Sequence, residues 1–67
     1  MADDSIPSAA ALNAMGGQVD DLLVRVSAGA KATDQPPTEF LSSALYDAER
    51  ALRSARRALE RAERSAP

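Results

Sequence analysis

The chain has 67 residues, with ten acidic and eight basic side chains for a formal net charge of −2, and it contains neither Cys nor His. That length allows one small domain at most, whose core would supply only ~3–5 kcal/mol of net stability. No disulfide can add to this, and zinc lacks its nitrogen and sulfur ligands. General acid-base and nucleophilic catalysis lack their usual residues and the bulk to build a pocket, so the chain is read as a non-enzyme without cofactor or small-molecule substrate.

Residues 1–7 read as a flexible acidic lead. Met1-Ala2-Asp3-Asp4 is the reverse of the basic start and apolar run of a secretory signal. The longest apolar runs, Ala9 to Leu12 and Leu22 to Val24, fall far below the roughly eighteen residues of a membrane span. A cytoplasmic location with no membrane partner is the expectation. Fifteen Ala, and seven Arg against one Lys, fit a GC-rich coding sequence and a bacterial source.

Helix 1 is expected over residues 8–29. Ser8 is a suitable N-cap, with Ser5 as its competitor. Leu12, Met15, Val19, Leu22 and Val26 then recur at alternating spacings of three and four, the pattern of a helix lying along another helix. Gly16-Gly17 interrupt it at ~1 kcal/mol each relative to Ala, which predicts a kink, a split or a point of close approach. Gly29 marks the expected end.

Residues 30–37 form a Pro-containing connector, in which Asp34-Gln35-Pro36-Pro37 imposes an extended or turning backbone. Thr38 then caps helix 2, with Glu39 at the positive end of its dipole, and no breaker follows before Pro67. Over residues 38–66 this helix spans roughly 40 Å at ~1.5 Å per residue. Its seam is Leu41, Leu45, Ala48, Leu52, Ala55, Leu59, Ala62 and Ala66, within a seven-residue repeat that signals coiled-coil packing. Glu49 with Arg53, Arg56 with Glu60 and Glu60 with Arg64 add i,i+4 pairs, each worth ~0.2–0.5 kcal/mol.

These elements predict an all-α fold, an antiparallel two-helix hairpin closed on a Leu/Ala heptad seam. The register that aligns the two seams pairs Val26 with Leu41, Leu22 with Leu45, Val19 with Ala48, Met15 with Leu52 and Leu12 with Ala55. In it Leu59, Ala62 and Ala66 lie opposite Ser8, Ser5 and Met1, so the last two turns of helix 2 overhang. The small core and this overhang predict completion by oligomerisation into a four-helix bundle or by docking onto a larger protein.

Residues off the seam are the candidate interface. Leu23, Val24, Phe40 and Tyr46 form one group, containing the only two aromatic residues of the chain, a residue type enriched at interface hot spots. Ala44, Ala51 and Ala58, beside Ala48, Ala55 and Ala62, form a wide alanine surface that joins Leu59. The function expected is therefore a non-catalytic protein-protein interaction module, a small accessory or scaffold subunit that binds itself or a larger complex. The alternative is a small DNA-associated or antitoxin-like regulator using Arg50, Arg53, Arg56, Arg57, Arg61 and Arg64 on phosphates. Glu49, Glu60 and Glu63 interrupt that basic run, and no aromatic interleaves it, so nucleic acid is the lesser expectation. The layout is similar to that of small secreted helical hairpins with a Trp-x-Gly turn, but the turn is missing here and no residue is carried across.

Overall fold

A computed structural model describes residues 5–66, and the acidic start of the expected lead, residues 1–4, lies outside them. Two helices, α1 (Ala9–Ala32) and α2 (Glu39–Ser65), pack against each other as a hairpin about 56 Å long. No strand occurs among the described residues, and none of the helices there is long and apolar enough to cross a membrane.

Ser8 provides the N-cap of α1, its hydroxyl accepting from the Ala11 amide at 3.1 Å. The helix runs unbroken through Gly16-Gly17 and does not stop at Gly29. Gly lacks a Cβ but keeps its backbone donor and acceptor, so it weakens a helix without breaking it. The end comes instead at Thr33, whose hydroxyl donates to the Gly29 carbonyl at 2.8 Å and whose amide donates to Ala30. These bonds satisfy carbonyls that the last turn leaves without intrahelical partners.

The connector is correspondingly shorter than expected. Thr38 stands at the N-cap position of α2 but makes no side-chain cap. Its hydroxyl turns back onto the connector, donating to the Thr33 carbonyl at 3.3 Å and the Gln35 carbonyl at 3.1 Å. The first amides of α2 are served by the Thr38 carbonyl, which accepts from Leu41 at 2.9 Å. The Pro36–Pro37 peptide is cis.

One more turn of α1 and a tighter connector move the register by a heptad. Leu45 lies against Gly29, not Leu22, and the Ser42 hydroxyl donates to the Ala30 carbonyl at 3.1 Å. Farther along, Ser27 faces Glu49 and Asp20 faces Arg56. The expected pairs of Val26 with Leu41 through Leu12 with Ala55 are therefore corrected. With them goes the overhang: the end of α2 comes level with the start of α1, and Leu59 is half-buried against it.

Each helix is also rotated from its expected seam. Leu12, Val19 and Val26 face inward as expected, but Gly16 and Leu23 replace Met15 and Leu22 between them. On α2, Leu45, Leu52 and Leu59 face inward, with Ser42, Glu49 and Arg56 where Leu41, Ala48 and Ala55 were placed; Ala48 is half-buried, whereas Leu41 and Ala55 are exposed. The reason is steric and polar. Ala30 and Ser42 are small enough for the helices to approach, Gly16 leaves room for the Arg56 side chain, and Ser27, Asp20 and the Ala30 carbonyl give Glu49, Arg56 and Ser42 their partners, as polar groups drawn into a seam require. Among the described residues no buried side-chain nitrogen or oxygen lacks a partner.

Candidate interaction surfaces

The seam is thin. Among the described residues Leu12 and Ala30 are the buried apolar ones, at 7% and 0% exposure, and Ser42 is buried beside Ala30. The rest of the contact is half-wet, carried by Val19, Leu23, Val26, Leu45, Leu52 and Leu59, all of intermediate exposure. Across it runs a set of polar links. Ser27 donates to the Glu49 carboxylate, which Arg53 approaches to 3.5 Å, and the Arg56 Nε donates to Asp20 at 2.9 Å while its Nη1 lies 3.4 Å from Glu60. The Asp20 hydrogen bond holds the Arg56 guanidinium above its ordinary pKa against the opposing effect of desolvation, with lesser support from the fields of Asp20, Glu60 and Glu63.

Of the i,i+4 pairs read from α2, those of Glu49 with Arg53 and Arg56 with Glu60 form. Glu60 turns to Arg56 and not to Arg64, and Arg50 pairs with Asp47 within one turn. Three of the six α2 arginines are thus committed to carboxylates. That leaves Arg57, Arg61 and Arg64 without an ion-pair partner among the described residues.

The hairpin presents two unlike long faces. On the first, Asp20, Leu23, Val24, Ser27, Ala28 and Lys31 of α1 and Arg53 of α2 line a shallow open groove of about 580 Å³. Val24 stands out of it at 71% exposure. Tyr46 is half-buried on this side of α2. Phe40 is 70% exposed in the first turn of α2, and at about 100° per residue it points about 120° away from Tyr46 round the helix. The group of Leu23, Val24, Phe40 and Tyr46 is accordingly divided: Leu23 belongs largely to the seam, Val24 and Tyr46 to the groove face, and Phe40, in line with Ala51 and Ala58 round α2, to the opposite flank.

The second face depends on the register. Turning from the seam at about 100° per residue, Met15 and Leu22 of α1 fall on the same flank as Leu41, Ala44, Ala48, Ala51, Ala55, Ala58 and Ala62 of α2. Met15, Leu22 and Leu41 are 42%, 39% and 43% exposed, and of the alanines only Ala48 is even half-buried. The seam rotation produces this face, because every large apolar residue displaced from between the helices moves to the same side. In the sequence its signal was the width of the alanine stripe; the addition of Met15, Leu22 and Leu41 to it could not be read without the register.

Neither a family model nor a curated protein nor a solved structure matches this chain.

Proposed function

We propose that this chain is a non-catalytic interaction module, a helical hairpin that acts by packing against another protein surface, whether a second copy or a larger assembly. One observation supports this above the others: Met15, Leu22 and Leu41 are left substantially exposed along one flank while Leu12 and Ala30 alone among the described apolar residues are buried. At ~25 cal/mol per Å² of apolar surface removed from water, such a seam offers little against the entropy of ordering two helices, and covering the exposed flank would add to it. Commitment of Arg50, Arg53 and Arg56 to carboxylates weakens the case for phosphate contact by the same helix.

The test is solution mass by light scattering with circular dichroism on the same sample. A helical oligomer, or a poorly helical monomer that becomes helical in a co-purified complex, supports the reading. A monomer that stays fully helical and melts cooperatively on its own at low concentration overturns it. Binding to duplex DNA at low salt, falling steeply as salt rises, would replace it with the nucleic-acid alternative.

A further inference from the structure

The interaction-module reading leaves the occupant of the apolar flank open, and the arrangement of α2 narrows it. The alanines at 44, 48, 51, 55, 58 and 62 are spaced four, three, four, three and four, which reads the same from either end of the helix. A second α2 laid antiparallel on the first can therefore set Ala44 against Ala62 of the second copy, Ala48 against its Ala58, and Ala51 against its Ala55. Small side chains throughout would let the two backbones come close.

That register carries a second, independent consequence. The alanine pairs are centred on residue 53; along the outer edge of the stripe the facing positions are offset by one residue on each helix, so Ser54 comes opposite Ser54 of the second copy. Asp47 and Arg61 lie on the same edge, each seven residues from it, and so come opposite Arg61 and Asp47 of the second copy. Charged residues at the edge of a helical seam set partner choice and orientation. Asp47 is exposed and held only by Arg50 of its own helix, and Arg61 has no ion-pair partner among the described residues. A parallel arrangement would put like charges level with each other and satisfy neither.

The hairpin register adds a third element. Asp20 faces Arg56 and Ser27 faces Glu49, so Ser54 stands level with Leu22 on α1. An axis through Ser54 then brings the exposed Leu22 side chains of the two copies together beside the alanines, with Met15 farther along the same flank.

We propose that the apolar flank is occupied by a second copy of this chain, with the two α2 helices antiparallel about a twofold axis at Ser54 and paired Asp47–Arg61 contacts on either side of it. The interface is isologous, each copy offering the same patch. This inference rests on the interaction-module reading and specifies its partner.

The test is the dimer dissociation constant of the full chain and of charge variants, by sedimentation equilibrium. Asp47→Arg and Arg61→Asp each place two like-charged pairs across the axis and should weaken the dimer roughly tenfold, while the double variant should restore it. Ala51→Glu keeps helix propensity but puts a carboxylate into the close approach, and should remove the dimer altogether. Restoration by the double swap is the supporting result, because loss of folding cannot produce it. A dimer whose affinity none of these variants moves overturns the twofold at Ser54 and leaves the interaction-module reading standing. A poorly helical monomer overturns the second copy in favour of a different host protein. A stable, fully helical monomer overturns both.

Discussion

The guanidinium of Arg56 lies across Gly16 of the facing helix, so that a Cβ added at Gly16 would come within 2.8 Å of its Nη1. The neighbouring Gly17 has nothing within 4 Å of the same added atom. Two adjacent glycines in one helix therefore have different uses. Gly16 makes room for the arm of Arg56 on its way to Asp20, whereas Gly17 serves no contact and carries only the cost of its backbone freedom.

Gly17→Ala should accordingly stabilise the hairpin by about 0.5–1 kcal/mol, the helix propensity difference. For a chain of this size that corresponds to a rise of several degrees in melting temperature. Gly16→Ala should gain less, since Arg56 must shift to admit the methyl group. Thermal melts followed by circular dichroism compare them directly. A larger gain at Gly16 than at Gly17 would show that the Arg56 crossing is not held as described.

Asp20→Asn should lower the melting temperature slightly in dilute buffer and leave it nearly unchanged in concentrated salt, because the Asp20–Arg56 pair is partly exposed and screened. The pH dependence from Arg56 follows from the direction of its shift. A cation whose folded pKa is raised contributes its stability at all pH below the ordinary value and loses it only as pH climbs through the raised one. Titration of Arg56 should therefore add no slope to stability across the neutral range, and none before strongly alkaline pH. Urea midpoints of wild type and variant at low and high salt check the pair.

Ala30→Leu should destabilise by about 1–3 kcal/mol through overpacking. Ala30 is fully buried, and its carbonyl receives the Ser42 hydroxyl from α2, so there is no space into which a larger side chain can turn. A lowered urea midpoint with an unchanged denaturant slope is the expected signature. An unaltered midpoint would mean that the helices are not in contact at the connector end.

Val24→Asp serves as the control for the opposite face. Val24 is the most exposed of the large apolar residues and stands on the groove side, away from the alanine flank. Its replacement should change stability by no more than about 0.5 kcal/mol and leave the solution mass as it was. A drop in mass would move self-association to the groove.

How far the sequence carried the structure can be judged from Leu45 and Leu41. The spacing of three and four assigned both to helix and to a two-helix hairpin, and Leu45 does face α1. Leu41, four residues earlier, was placed beside it and is exposed. Periodicity fixes a stripe only to within a residue or so round the helix, and here a neighbouring stripe of Ser42, Glu49 and Arg56 was able to compete. What decided between them were partners on the other helix, the Ala30 carbonyl, Ser27 and Asp20, and these depend on the register. The register in turn depended on Gly29, read as a stop but accommodated within the helix, and on Thr38, whose hydroxyl tightens the connector in place of capping α2. The candidate site depends on the register in the same way: the alanine stripe is legible in the sequence, whereas the spacing places Leu59 on an overhang and Met15, Leu22 and Leu41 in the seam, and the structure does neither.

Among the described residues the buried positions of the hairpin lie toward its two ends, Leu12 and Gly16 near the free tips and Ala30 with Ser42 beside the connector. Between them the helices touch through half-wet leucines and valines. The rod is in effect buttoned at two points, with a looser length of cloth between. Inside the fraying tips, its backbone amides should record this as protection from solvent deuterium that is highest around Gly16 and around Ala30 and dips in the turns between them, and whatever closes over Leu22 would lift that dip first.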